Sequence, residues 1–295
     1  MLLPDAIDMV RPSVVRIFWF VRDLTPEQLA NEQVAEQVRR LPYPGIFGGV
    51  LGTGFFVNDD GYVITAAHVL DAAKRMVEDT PDFKVEIGLG LAPPDQEHAR
   101  LRVAILGGEI VDGDHSHDLA LLRTQNGTPF KEPFMQNGEI VEIPHAVARL
   151  QPAQPRDGDD IACSGYPLNN MAMITTHGVV AASYWVDEIT VPDPDEPNES
   201  TLVQRASFLG DLQVNGGNSG GPVYAVADGC VLGMVSGTLL APLHVSGGDP
   251  TLLRAGAGLS IVTPSYFVVE FLERNSVAWT GPDGVVRSGT APNAA

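Results

Sequence analysis

The chain has 295 residues and a formal net charge of −19 at pH 7, since 37 acidic residues outnumber 18 basic ones. Such a surface repels nucleic-acid phosphates and anionic lipids, so we expect neither nucleic acid nor membrane as a partner. No apolar run approaches the roughly eighteen residues of a membrane-spanning helix. The start, MLLPDAIDMV, carries acids and no basic segment, so it does not resemble a secretory signal. We expect a cytoplasmic location, with a secreted or periplasmic one left open.

The first half of the chain is predicted to be made of short strands separated by Gly, Pro, Asp and Asn. The hairpin between the second and third strands is the clearest, because Asp60-Gly61 supplies the left-handed turn positions. The predicted strands span residues 14–20, 54–57, 62–65, 83–89, 100–106 and 118–123.

An insertion at 22–48 interrupts these strands. Thr25-Pro26-Glu27-Gln28 is a capping box with proline at the first helical position, which predicts a helix. Apolar residues then follow at helical spacing: Ala30, Val34, Val38 and Leu41. We consider three roles for this insertion, namely a lid, an oligomerisation arm or a docking element for a regulatory protein.

The second half is again predicted to be β-structure, and a helix follows it. Residues 126–158 are rich in proline and lack periodicity, so we interpret them as a connector. The helix is predicted at 264–274, where Phe267, Val268, Phe271 and Leu272 would be buried. We expect a disordered tail at 281–295. The predicted strands span residues 160–164, 173–182, 201–207, 222–226, 230–236 and 257–262.

A serine lies among glycines in Gly217-Asn218-Ser219-Gly220-Gly221. A serine hydroxyl becomes a nucleophile when a histidine accepts its proton and a carboxylate orients that histidine. It also needs backbone N–H groups aimed at the developing oxyanion. Glycines beside the serine allow those N–H groups to point inward without a Cβ clash. Ser219 is therefore our candidate nucleophile.

Candidates for both partners are present. His68 follows a predicted strand and small residues, and Asp118 opens the apolar run 119–122, which would shield its carboxylate from water. Two rival acids, Asp112 and Asp114, lie in what we predict to be a polar loop. The pair His115 and His117 suggests either a metal site or a solvated loop, of which we favour the loop.

Metal-spaced Cys/His pairs are not evident, and we expect neither a metal nor another cofactor. The two cysteines, Cys163 and Cys230, cannot build a disulfide framework, and two buried thiols are preferred over a bridge.

Three motifs together resemble the signatures of trypsin-like serine peptidases. They are Thr65-Ala66-Ala67-His68-Val69, Asp118-Leu119-Ala120-Leu121-Leu122 and Gly217-Asn218-Ser219-Gly220-Gly221-Pro222. More narrowly, the chain is similar to the protease domain of the HtrA (Deg) group over about residues 8–274. The segments that carry this narrower resemblance are 52–57, 60–65, 211–219 and 258–261.

The resemblance implies an all-β fold of two six-stranded antiparallel barrels, with the site between them. The peptidase domain would span 1–280, with barrels at about 10–125 and 159–262. It implies His68, Asp118 and Ser219 as the catalytic triad, and the backbone N–H groups of Gly217 and Ser219 as the oxyanion hole. The partner implied is a protein or peptide substrate, cleaved through an acyl-enzyme.

The chain departs from the family in places. Gly216 replaces the usual proline, the segment 238–255 is long, and we expect no PDZ domain of the kind that often follows. Asn218 stands where digestive relatives have an aspartate that pairs with a new N-terminus, so activation by such cleavage is not expected.

Substrate specificity is predicted from the walls of the pocket for the residue before the cleaved bond (P1). We expect these walls to be Gln213, Val214, Asn215, Val235, Ser236 and Gly237, with 235–237 as the edge that pairs with substrate. None of them is charged, which predicts a medium aliphatic P1 with broad selectivity. Asp249 is the one acid that could enter from the 238–255 loop and change this preference.

Two other functions were weighed. The serine motif also matches G-x-S-x-G of α/β-hydrolases, in which the acid and then the histidine follow the serine. The only later histidine is His244, with Asp228 between, and this spacing leaves no room for the strands and helices that normally carry them. The second is a protease-fold binding or regulatory module without activity. The complete set of triad residues favours an active endopeptidase.

Overall fold

A computed structural model describes residues 1–21, 24–32, 36, 47–79, 85–91, 104–124, 134–136, 139–141, 146–169, 172–192, 200–242 and 254–289. The first half contains α1 (Leu3–Val10), a 3-10 turn (Arg11–Ser13), β1 (Val14–Val21), α2 (Pro26–Ala30), β2 (Phe47–Phe56), β3 (Tyr62–Thr65), α3 (Ala67–Asp79), β4 (Val85–Leu91), β5 (Ala104–Asp114) and β6 (Leu119–Thr124).

The remaining elements begin with a small hairpin, β7 (Phe134–Gln136) and β8 (Glu139–Val141). They continue with β9 (Asp160–Gly165), a 3-10 turn (Pro167–Asn169), β10 (Ile174–Pro192), β11 (Ser200–Gly210), β12 (Pro222–Ala225), β13 (Val231–Pro242), β14 (Arg254–Pro264), α4 (Ser265–Arg274), β15 (Trp279–Thr280) and β16 (Val286–Arg287).

Strands β1 to β6 close the first barrel in the order β1-β2-β3-β6-β5-β4, and every pairing is antiparallel. Its interior is filled by fully buried apolar side chains, among them Ile17, Phe55, Ile64, Leu89 and Leu121. The near-continuous apolar run of β6 fits a strand whose side chains are almost all buried.

The second barrel closes in the order β10-β11-β14-β13-β12-β9 and is also antiparallel throughout. Phe208, Val223 and Val262 belong to its core. The larger apolar cluster continues from the first barrel into this one, where it includes Tyr166 and Tyr224. The predicted all-β architecture of two six-stranded barrels and a C-terminal helix is confirmed.

Two helices were missed by sequence reasoning. Helix α1 has Pro4 in its first turn, and Asp5 accepts a hydrogen bond from the Leu2 N–H at 3.1 Å, a signal that was present in the sequence. Helix α3 begins at Ala67, just before His68, and buries Leu70 and Ala73. The helical spacing of these two residues was also present in the sequence.

Two other expectations are corrected by the structure. Asp112 and Asp114 do not lie in a loop, because β5 continues to Asp114 and pairs with β6. The predicted disordered tail is folded up to residue 289, and its strand β16 pairs with β15. The predicted connector contains the β7–β8 hairpin.

The predicted helix of the insertion is described only at its beginning. Thr25 caps α2, and its hydroxyl accepts a hydrogen bond from the Gln28 N–H at 3.2 Å. Val34, Val38 and Leu41 lie outside the described residues.

Both cysteines are buried free thiols, as predicted. Burial raises the pKa of Cys163 to about 12 and that of Cys230 to about 11. Across the part of the chain that the structure describes, every helix is too short or too polar to span a bilayer.

Candidate active site

His68 and Asp118 meet because β3 and β6 are antiparallel neighbours. Thr65 at the end of β3 pairs with Ala120 near the start of β6. Residues just after β3 and just before β6 therefore leave the barrel at the same end. His68 lies in the first turn of α3, and Asp118 immediately precedes β6.

The two side chains form a directed pair. The Nδ1 atom of His68 lies 2.9 Å from Oδ2 and 3.0 Å from Oδ1 of Asp118. The His68 backbone N–H also donates to Oδ1 at 3.1 Å. Because Nδ1 is occupied, Nε2 is the nitrogen that remains for proton exchange with another group.

Asp118 is held in an uncommon conformation. Its φ is 56°, in the left-handed region that few non-glycine residues adopt. Its carbonyl accepts the Ala67 N–H at 3.1 Å, which fixes the turn against the start of α3. Asp118 is only 7% exposed, whereas the His68 side chain is 47% exposed. The acid is therefore shielded and the base is accessible.

The surroundings of His68 keep its imidazole basic. Burial alone would lower the pKa of His68, but the hydrogen bond and the charge of Asp118 outweigh burial. The net effect is a pKa above the ordinary 6.5. The imidazolium is thus stabilised by the neighbour that orients it.

The serine loop folds as two tight turns. The Asn218 N–H donates to the Asn215 carbonyl at 3.0 Å, and the Gly221 N–H donates to the Asn218 carbonyl at 2.8 Å. Gly217 and Gly220 have φ values of +102° and +85°, which favour glycine. A Cβ at Gly217 would lie 2.3 Å from the Tyr166 carbonyl oxygen. Conformation and space together explain why glycines surround the serine.

The backbone of Ser219 docks directly on the first barrel. Its carbonyl accepts the Thr53 N–H at 2.9 Å. A Cβ at Gly52 would meet both that carbonyl, at 2.9 Å, and Val69 Cγ2, at 2.6 Å. Since Val69 follows His68, the serine loop lies against the turn that carries the histidine. Within the described residues, however, no hydrogen bond joins the Ser219 hydroxyl to His68.

Two N–H groups of the serine loop are free of acceptors. The N–H groups of Asn218, Gly220 and Gly221 all donate to carbonyls. Those of Gly217 and Ser219 donate to no group in the part of the chain that the structure describes. An amide pair left open beside a serine can bind an anionic oxygen.

The residues expected to form the substrate pocket differ in exposure. Gln213 and Asn215 are exposed and Val214 is half-buried, while Val235 and Ser236 are buried. The Ser236 hydroxyl donates to the Ile261 carbonyl at 3.3 Å.

Gly237 is half-buried, and no atom of the described residues lies within 4 Å of the position of a Cβ there. None of the described residues therefore blocks this face of β13. Asp249, the acid that might reach this pocket, lies outside the described residues.

His115 and His117 each lie close to an aspartate. His117 Nδ1 lies 3.1 Å from Asp114 Oδ2, and Arg274 on α4 approaches the same oxygen at 3.3 Å. His115 Nδ1 lies 3.5 Å from Asp71. Among the described residues, no three His, Cys, Asp or Glu side chains converge as metal ligands would.

One charged residue near the site was missed by sequence reasoning. Arg205 on β11 has a side chain only 8% exposed, and its Nη1 lies 3.9 Å from Asp118 Oδ2. In the sequence it is an isolated charge within the strand RASFLG, and nothing local indicates which way it faces.

The chain is similar to known peptidases. The family model of the trypsin-like peptidase domain matches residues 52–234. Serine protease HTR4 of Bos taurus is 25% identical over 276 residues, which cover 92% of this chain and 42% of that protein. Serine protease HTRA1B of Danio rerio is 24% identical over 270 residues, which cover 92% and 40%. This chain thus spans less than half the length of either relative.

A solved structure shares the fold. The active form of the Rv3671c protease from M. tuberculosis superposes with a TM-score of 0.52 at 20% identity, over 90% of this chain and 82% of that one. With the matched family model covering more than half of the residues, the chain belongs to the trypsin-like peptidase family.

Proposed function

We propose that the protein is an endopeptidase that cleaves protein substrates through a His68–Asp118–Ser219 triad. The observation that carries the proposal is the buried Asp118 carboxylate, which accepts hydrogen bonds from both the imidazole and the backbone of an accessible histidine. A carboxylate in this arrangement fixes the tautomer whose Nε2 can accept a proton.

Acylation is the first step. Ser219 Oγ attacks the scissile carbonyl carbon while His68 Nε2 accepts the hydroxyl proton. Charge develops on the carbonyl oxygen, and the unused N–H groups of Gly217 and Ser219 stabilise it. His68 then donates its proton to the leaving amine, and the acyl group stays on Ser219.

Deacylation repeats the same moves with water. His68 accepts a proton from a water molecule, and the resulting hydroxide equivalent attacks the acyl carbon. The Ser219 oxygen leaves and recovers the proton from His68. Asp118 keeps its negative charge throughout and stabilises the imidazolium. The hydrogen bond between Ser219 and His68 is expected to form when substrate binds, since such contacts are often loose without substrate.

Substrate is proposed to extend along 235–237 as an added strand, with its P1 side chain against 213–215. Within the described residues, the empty space on the Cβ side of Gly237 leaves room for a substrate group on that face of the strand. We propose an aliphatic P1, because the expected walls carry no charge that would compensate a buried cation or anion. A docking role for the 22–48 insertion stays a prediction.

A fluorophosphonate probe tests the proposal on the purified chain. We expect covalent labelling of the parent at Ser219 and none of Ser219→Ala. The matched control Ser200→Ala removes an exposed hydroxyl from the start of β11 and should label like the parent. Peptide cleavage should fall by several orders of magnitude in Ser219→Ala. Equal cleavage by parent and Ser219→Ala would refute the triad.

A further inference from the structure

Arg205 is a buried cation that the mechanism above does not use. Its Nη1 lies 3.9 Å from Asp118 Oδ2, and its Nη2 lies 3.8 Å from Asp187 Oδ2. Its Nε has no hydrogen-bond partner among the residues that the structure describes. Burial of a guanidinium with an unsatisfied N–H lowers the stability of the fold. A functional role would explain why an arginine occupies this strand position.

We propose that Arg205 is a positioning residue that acts through Asp118: it holds the carboxylate in place for His68. This inference rests on the proposed function of the triad. Asp118 belongs to the first barrel, whereas Arg205 reaches it from the second. The acid is therefore held by a charge from the opposite barrel as well as by His68.

The division of contacts at Asp118 supports this role. Oδ1 accepts hydrogen bonds from the His68 backbone and imidazole. Oδ2 contacts Nδ1 of His68 and faces Arg205. Because the Arg205 cation lies near Oδ2, rotation of the carboxylate away from His68 would also separate it from Arg205. Separation of these opposite charges is unfavourable in a site shielded from water. Asp187 holds the other end of the guanidinium fork in place.

The charges that face His68 come from three elements. Asp118 precedes β6 and Asp71 lies on α3, and both raise the pKa of His68. Arg205 on β11 lowers it. Asp71 also contacts His115. Removal of Arg205 leaves two carboxylates acting on the imidazole with no opposing cation, so the pKa of His68 should rise.

The kinetic consequence is a loss in turnover more than in binding. A more basic His68 is protonated over more of the neutral range, and a loosely held Asp118 orients it less well. For Arg205→Gln we expect kcat at pH 7 to fall about tenfold with KM little changed. The acidic limb of the kcat/KM profile should move to higher pH.

The test is a proton NMR titration of the imidazoles in the Ser219→Ala background, where catalysis plays no part. The His68 signal is identified by its loss in His68→Gln. We expect Arg205→Gln to move its midpoint to higher pH and Arg205→Lys, which keeps the charge, to leave it near the parental midpoint. The control Arg156→Gln removes an exposed arginine paired with Asp159 and should not move it.

Asp187→Asn is the second variant, and it also serves if Arg205→Gln fails to fold. It removes a half-exposed negative charge, so that Arg205 pairs with Asp118 only. The titration midpoint of His68 should therefore fall or stay unchanged, and should not rise. A rise there, an unmoved midpoint in Arg205→Gln, or an equal shift in Arg156→Gln would overturn the proposal. If the parent cleaves no peptide but Arg205→Gln still shifts the midpoint, the proposed function fails and the electrostatic coupling stands.

Discussion

Gly220→Ala is expected to destabilise the fold at the serine loop by about 2–5 kcal/mol. An L-residue at the Gly220 φ of +85° costs about 1–2 kcal/mol. The new methyl would also lie 2.0 Å from the Thr53 carbonyl oxygen and 2.3 Å from Thr65 Oγ1. These two atoms are hydrogen-bonded to each other at 2.7 Å, so neither can move freely. Overpacking of this kind adds about 1–3 kcal/mol.

The neighbouring Gly216 provides the control. It has no positive φ, and nothing lies within 4 Å of a Cβ built there. Gly216→Ala should therefore range from neutral to stabilising by about 1 kcal/mol, because it restricts the unfolded chain. Unfolding in guanidinium chloride, with both variants made in Ser219→Ala to prevent self-cleavage, gives the free energies. A loss below about 1 kcal/mol for Gly220→Ala, or equal losses for both variants, would refute the steric reasoning.

Three further results are expected. Since the neutral form of His68 is the base and its pKa is raised, kcat/KM should rise with pH through a midpoint above 6.5, and a lower midpoint would contradict the pairing with Asp118. Burial opposes ionisation of Asp114, but hydrogen bonds from His117 outweigh it and lower the Asp114 pKa from 3.8 to about 2. The ionised Asp114 carboxylate stabilises the fold above pH 3.8, and this stabilisation is lost as pH falls toward 2. Asp114→Asn should lower the free energy of unfolding by about 1 kcal/mol at pH 7 after solvent screening. The difference between parent and variant should narrow in unfolding curves measured at acidic pH. Finally, iodoacetamide at pH 8 should leave Cys163 and Cys230 unmodified until denaturant is added, because burial raises both thiol pKa values.

Much of the barrel architecture was predictable, because the apolar strands are separated by turn residues that are easily recognised in the sequence. Asp60-Gly61 marked the β2–β3 turn, and Gly61 has the positive φ that the turn needs. Strand lengths were less predictable. Strand β10 runs to Pro192, ten residues past its predicted end, because it continues as a hairpin with β11 beyond the buried barrel, where exposed side chains no longer show the apolar pattern.

The candidate site was predictable to the extent that its residues lie in local motifs. His68 and Asp118 each precede or follow a strand that the apolar pattern reveals, so their pairing could be expected from antiparallel neighbours. Arg205 could not be found this way. Its importance depends on its contact with Asp118, which lies 87 positions earlier in the chain and belongs to the other barrel. No local sequence pattern encodes such a contact.

Thr53 explains how two separate barrels produce one site. Its N–H donates to the Ser219 carbonyl, and its hydroxyl donates to the Gly217 carbonyl at 2.7 Å while accepting the Tyr166 N–H at 3.0 Å. One fully buried residue of β2 therefore fixes the carbonyls on both sides of Asn218. With those carbonyls held against the first barrel, the N–H groups of Gly217 and Ser219 have no acceptor among the described residues. The same strand that pairs with β3, and so helps to place His68, thus also orients the serine loop. The position of the serine relative to the histidine is set by the contact between the barrels, and this contact is also where Arg205 meets Asp118.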